Sequence, residues 1–186
     1  MKKDIFADSL ERSPVIAFVT PERVDQALDS LCEIIFVVGC SIKQLEPCIE
    51  KVHSRNKLIL FHFDLTDGLG KDKAGVEYLA SLGADGIIST RSQIIRFGND
   101  EGLITVQRFF ALDSKGVYSI NDVLASTHPD YIEILPGVIG KVIRYFTNSN
   151  IPVIAGGLIE TKSEVTEAIV SGAEGVSTSC SELWNM

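Results

Sequence analysis

Short apolar runs alternate with amphipathic segments along the whole chain. The runs at Pro14–Val19, Glu33–Val38, Leu58–Asp64, Gly86–Thr90, Leu103–Phe110, Tyr131–Leu135, Pro152–Ala155 and Gly175–Thr178 are rich in Ile, Val and Phe. Runs so short and so apolar predict strands buried on both faces. Helical periodicity fills the intervals Glu22–Leu31, Ile42–Ser54, Asp72–Leu82, Ser92–Glu101, Ile120–Ser126, Val138–Asn148 and Thr161–Ser171. Thr20-Pro21-Glu22 offers an N-cap followed by proline at the first helical position, and Thr161 with Glu164 has the spacing of a capping box. Alternation of this kind predicts a parallel sheet.

Eight strands permit closure, so the expected fold class is α/β, a compact (β/α)8 TIM-barrel-like fold with short loops. The glycine fingerprint of a dinucleotide-binding sheet is missing after the first strand. The 186 residues give about 23 per unit, against about 31 in a barrel of typical size, which leaves little material for lids. No linker or low-complexity tract divides the chain, and a single TIM-barrel-like domain over residues 1–186 is expected.

Ligand groups in such a barrel belong at or just beyond the C-terminal ends of the strands. The seventh run ends in Gly156-Gly157, and the eighth in Thr178-Ser179. Loops after strands 7 and 8 commonly hold phosphate, because glycine admits backbone N–H groups close to the anion. The pair also suits a bare strand-to-helix turn, but its place after the seventh strand favours phosphate. The expected ligand is a small phosphorylated molecule.

Charged groups inside apolar runs sharpen the picture, since burial makes them costly unless paired. Asp64 lies two residues beyond His62, hence on the same strand face if the strand continues, where it would accept hydrogen bonds from ligand hydroxyls or cap the next helix. His62 itself is expected in the packed interior, hydrogen-bonded. Gly68 and Gly70 suggest a flexible loop able to close over a ligand. Arg108 either turns inward, to Asp64, Glu133 or a ligand phosphate, or reaches the surface between helices. Glu133, between Ile132 and Ile134, is expected to line the mouth or to be paired. Gly137 would let backbone approach a ligand, and Arg91 would partner a phosphate or carboxylate. Asp113-Ser114 reads as a helix start or a turn.

Composition narrows the function classes. The hydrophobic fraction is 45% and the charged fraction 23%, which excludes a disordered chain. The longest apolar stretch, Ile34 to Gly39, is too short to cross a bilayer, and MKKDIFADSLERS carries no apolar run of a signal peptide, so no membrane partner is expected. Cys32, Cys40, Cys48 and Cys180 form no C-x-x-C or Cys/His ligand spacing, and read as reduced thiols of a cytoplasmic protein without a metal. A net charge of −8 argues against broad, nonspecific nucleic-acid binding. It leaves room for a local basic face; Lys51, His53, Arg55 and Lys57 cluster within seven residues, though just before a strand they read first as a solvated αβ loop. A homo-oligomer would double a weak patch and raise its avidity. No strand carries a lysine in its C-terminal half, as a Schiff-base aldolase would require.

At these residues the chain resembles the glycerol uptake operon antiterminator regulatory proteins. The resemblance runs through HFDLTDGLGKDKAGVEYL (His62–Leu79), DGIISTR (Asp85–Arg91), GLITVQRFFALDS (Gly102–Ser114), PDYIEILPG (Pro129–Gly137), PVIAGGLI (Pro152–Ile159) and GVSTSCSELW (Gly175–Trp184). It implies a cytoplasmic bacterial regulator that senses glycerol 3-phosphate, needs no cofactor, and acts with that ligand on leader mRNA of glycerol-utilisation operons to prevent early transcription termination. Asp64, Glu133, Gly156, Gly157, Thr178 and Ser179 carry over as the ligand site. Thr178-Ser179 stand where phosphate-binding barrels often have glycine, so hydroxyls would add to or replace backbone donors. The alternative from another class is an isomerase or lyase acting on a small phosphorylated substrate, with Asp64 and Glu133 as base and acid.

Overall fold

The structure, a computed structural model, describes residues 2–147 and 151–186. Its eight strands are β1 (Val15–Val19), β2 (Ile34–Val37), β3 (Leu58–His62), β4 (Gly86–Ser89), β5 (Ile104–Phe110), β6 (Tyr131–Leu135), β7 (Val153–Gly156) and β8 (Gly175–Thr178). They pair in parallel and in chain order, β8 returning to β1, and close the expected barrel. The helices are α1 (Lys2–Arg12), α2 (Val24–Leu28), α3 (Ile42–His53), α4 (Lys73–Ser81), α5 (Ser92–Asp100), α6 (Ser114–Thr127), α7 (Gly140–Phe146) and α8 (Lys162–Val170).

Local chemistry starts and stops these elements as the sequence suggests. Thr161 and Glu164 form the capping box of α8, and the Asp113 carboxylate accepts from the Gly116 amide to start α6 (2.7 Å). That cap begins α6 six residues before its apolar periodicity does. The segment expected as Glu22–Leu31 is instead a 3₁₀ turn (Pro21–Arg23) followed by the short α2. Helix α7 is shorter than the expected Val138–Asn148, whose last residue lies outside the described ones.

Alternating strand residues divide the interior in two. Val15, Ala17, Ile35, Ile59, Ile87, Ile132 and Val176 pack outward against the helices. Ile16, Ile34, Phe36, Leu60, Ile88, Ile104, Val106, Tyr131 and Ile154 fill the barrel axis. Helix α1, which the apolar pattern does not announce, closes the N-terminal end of the barrel. Phe6 and Leu10, one turn apart, join the axial cluster, and Phe6 packs on Tyr131 with ring centroids 4.8 Å apart. Gly175 makes room for this plug, since a Cβ there would lie 2.9 Å from Leu10 Cδ2. Lys2 and Lys3 tie the helix to Asp85 and Asp130 at the same end. With the bottom sealed, any axial ligand must enter at the opposite mouth.

Candidate functional site

Near that mouth charged and hydroxyl side chains enter the axial series. On β5 the axial series runs Ile104, Val106, Arg108; on β6 Tyr131, Glu133, Leu135; on β8 Gly175, Ser177. Arg108 and Glu133 are register partners, and Arg108 Nε donates to Glu133 Oε2 at 2.6 Å. Ser177 Oγ donates to the other oxygen, Oε1, also at 2.6 Å. Glu133 is 1% exposed and Arg108 8%, so both charges sit at low dielectric and hold each other. Gly156 lies on β7, between Glu133 on β6 and Ser177 on β8. A Cβ there would come within 2.7 Å of both Glu133 Oε1 and Ser177 Oγ. The glycine therefore serves first to let this hydrogen bond pass over β7.

The trio forms part of the floor of a cavity of about 630 Å³ at the β6–β8 side of the mouth. Arg108, Glu133, Gly157, Thr178 and Ser179 line it, together with Phe18, Leu158 and Glu160 among others. The Arg108 guanidinium rests over the Phe18 ring, 5.1 Å from its centroid. Among the described residues its two Nη groups have no acceptor, so its outer donors remain open to a ligand. Gly157 and Leu158 both take left-handed backbone, φ +76° and +60°, a conformation a leucine rarely adopts. Among the described residues the amides of Leu158 and Ser179 also lack an acceptor. The cavity thus combines one buried cation with open backbone donors, a set that suits an oxyanion. Glu160 and Glu182 stand exposed at the rim, where solvent screens them far more than Arg108 in the floor.

The remaining sequence candidates take other places. Asp64 is not a continuation of β3: the strand ends at His62, and a 3₁₀ turn (Phe63–Leu65) turns the carboxylate towards β4. There it accepts from Ser89 Oγ (2.7 Å), Thr90 N (2.8 Å) and Thr90 Oγ1 (2.9 Å), with exposed Arg91 at 3.8 Å. Burial raises its pKa, but the Thr90 amide and the two hydroxyls outweigh that and hold it below the usual carboxylate value. Asp64 and Arg91 brace the β3–β4 side and do not line the β6–β8 cavity. The Gly137 amide donates to the carbonyls of Gly156 and Gly157, and binds the β6 loop to the β7 loop. Thr178 lines the cavity, but its hydroxyl donates to Ile159 O (2.7 Å) and accepts from the Cys180 amide (3.1 Å).

His62 is buried as expected, on the same face of β3 as Leu60, yet its Nδ1 has no hydrogen-bond partner among the described residues. Burial and the Arg108 charge both depress its pKa, so it is neutral. The Gly68–Gly70 loop is not free. Asp67 exchanges backbone hydrogen bonds with Cys40 and Ile42, and the Lys71 ammonium is held by the carbonyls of Phe63 and Thr66. Nor is the 51–57 cluster a free basic face. Lys51 pairs with Asp25, His53 with Asp85 and Arg55 with Asp29, while Lys57 donates to the carbonyls of Ala27 and Ser30.

Sequence reasoning missed Ser177 and Phe18. The signal for Ser177 was its parity: it lies two residues beyond Gly175, on the axial face, whereas Thr178 faces the helices. All four cysteines are free thiols. Among the described residues there is no group of His, Cys, Asp or Glu that could hold a metal, and no helix long and apolar enough to cross a membrane.

Fold and site define the class: a closed (β/α)8 barrel with a buried Arg–Glu–Ser network beneath an open mouth. Residues 15–184 match the family of glycerol-3-phosphate responsive antiterminators, and the chain belongs to that family. It is 33% identical over 180 residues to the uncharacterized protein YgcP of Escherichia coli K12, covering 95% of this chain and 94% of that one. The crystal structure of the glycerol uptake operon antiterminator regulatory protein of Listeria monocytogenes superposes with a TM-score of 0.88 at 32% identity, over 92% of this chain and 95% of that one. A glycerol uptake operon antiterminator-related protein of Thermotoga maritima follows at 0.84 and 29%, covering 92% and 98%. Solved aldolases at 11–12% identity share the fold alone.

Proposed function

We propose that this chain senses glycerol 3-phosphate in the β6–β8 cavity and, with the ligand bound, acts on leader mRNA of glycerol-utilisation operons to prevent early transcription termination. The observation that carries the ligand assignment is Arg108. It is held by Glu133 through Nε alone, and both Nη groups are left to an anion in a cavity walled by open amides. The phosphate belongs against Arg108 and the loops after β7 and β8, and the glycerol end towards the β6 side of the mouth. Family membership supports the effector and the mode of regulation. The eight strands hold no lysine, so the Schiff-base chemistry open to a barrel of this shape has no nucleophile in the sheet. On this reading glycerol 3-phosphate is the ligand, no cofactor is required, and the protein works with its RNA in the cytoplasm.

Calorimetric titration with glycerol 3-phosphate, glycerol and inorganic phosphate tests the ligand. Glycerol 3-phosphate should bind tightest, and Arg108→Lys should weaken it by about 1.5–3 kcal/mol, the worth of a hydrogen bond to a charged group. A folded Arg108→Lys variant with wild-type affinity would move the phosphate elsewhere.

A further inference from the structure

We infer that α6 and α7 present the face on which single-stranded RNA docks. The inference rests on the antiterminator reading and adds the surface that reading lacks. Side by side on these helices stand Tyr118, 62% exposed, and Tyr145, 37% exposed, edge to face with centroids 5.8 Å apart. Leu112, 85% exposed, borders the same groove of about 360 Å³, which Lys141 also lines. Lys115 precedes Tyr118 by three residues and so lies on a neighbouring turn of α6.

Charge selects the occupant. Among the described residues, neither Lys115 nor Lys141 is paired with a carboxylate, whereas Lys51, His53 and Arg55 all are; Arg144 is turned away, donating to Ser171 Oγ beyond α8 (2.9 Å). Against these two cations stand Asp122 and Asp113, whose carboxylate is taken up by the Gly116 amide as the cap of α6. On a chain of net charge −8 this face carries two unpaired lysines and exposed aromatic rings, with no net negative charge. Stacked bases and a phosphate backbone match it. A second copy docking face to face would set the same lysines against each other.

The position also offers a route for the ligand signal. Arg108 lies four residues before Leu112 at the end of β5, and Glu133 six residues before Ile139 beyond β6. Leu112 and Ile139 both wall the groove. An anion drawn onto Arg108 therefore acts on the two strands whose outgoing loops build the RNA face.

The test uses the intact protein, the leader transcript of a glycerol-utilisation operon and saturating glycerol 3-phosphate. Tyr118→Ala and Tyr145→Ala should each weaken RNA binding at least about fivefold, as loss of one stacking platform does. Tyr118→Phe should bind as wild type does. Lys141→Gln should make the log–log salt dependence shallower by about 0.7, one single-strand phosphate contact. Glycerol 3-phosphate affinity, measured by calorimetry, should stay unchanged in all four variants. If wild type binds the transcript and both alanine variants bind it equally well, the RNA face lies elsewhere. Conversion of a dimer to monomers by Tyr118→Ala, with RNA affinity unchanged, would make this a self-association face and overturn the inference. Failure of wild type itself to bind any leader transcript would instead overturn the antiterminator reading on which the inference stands.

Discussion

Ser177 donates a 2.6 Å hydrogen bond to Glu133 across the bare backbone of Gly156. The three residues come from neighbouring strands, β8, β6 and β7, and the bond exists because the middle strand offers no side chain. Gly156→Ala should force the two side chains apart and leave a buried carboxylate oxygen unsatisfied. Overpacking of this kind costs about 1–3 kcal/mol. Urea unfolding would show it as a lower midpoint with unchanged slope, and wild-type stability would mean that the network can move aside freely.

The Arg108–Glu133 pair separates stability from function. Arg108→Met strands a buried Glu133 carboxylate, and breaking a buried pair costs about 3–5 kcal/mol. Adding Glu133→Leu removes the stranded charge and should recover most of that loss, since apolar replacements of buried pairs are often neutral. Glycerol 3-phosphate affinity should not recover, because the cation facing the cavity is gone. A double variant that is stable and binds normally would assign the pair to the scaffold alone.

His62 makes stability depend on pH in a stated direction. Its folded pKa lies below the ordinary 6.5, first because of burial and then because of Arg108. The unfolded chain thus takes up the proton more readily, and stability falls as pH drops below about 6.5 towards the folded pKa. Asp64, also depressed, keeps its contribution above the usual carboxylate range and loses it only in stronger acid. Urea unfolding at pH 7.5 and pH 5 should show a smaller loss for His62→Gln than for wild type. Equal losses would place the titration on another group.

The N-terminal plug should be worth as much as any core element. Phe6 is fully buried against Tyr131, and Phe6→Ala should cost about 3–5 kcal/mol, read by the same unfolding measurement. A loss under 1 kcal/mol would mean that α1 merely rests on the barrel.

That plug also shows where reading the sequence stops. The strands are legible because each is a dense apolar run, and eight of them permit closure. Helix α1 buries only Phe6, Ser9 and Leu10, and partners in the barrel axis such as Tyr131 lie far along the chain. In the site, Arg108 and Glu133 stand out because charge inside an apolar run demands a partner. Asp64 misleads for a geometric reason: the two-residue period holds only while the strand lasts, and β3 ends at His62. At β8 the same period distinguishes Ser177, facing the axis, from Thr178, facing the helices, although both are small hydroxyl residues at a strand end.

The central claim is that ligand in the cavity and RNA on the protein are linked. Linkage is reciprocal, so a typical coupling of about 1–3 kcal/mol appears as a roughly 5–150-fold change in either affinity. The direct measurement is leader-RNA affinity with and without glycerol 3-phosphate at one fixed salt concentration, paired with glycerol 3-phosphate affinity with and without RNA. The account predicts that each ligand tightens the other by the same factor and that glycerol 3-phosphate is recovered unchanged. RNA affinity indifferent to glycerol 3-phosphate, with the ligand consumed, would contradict it and make the barrel an enzyme.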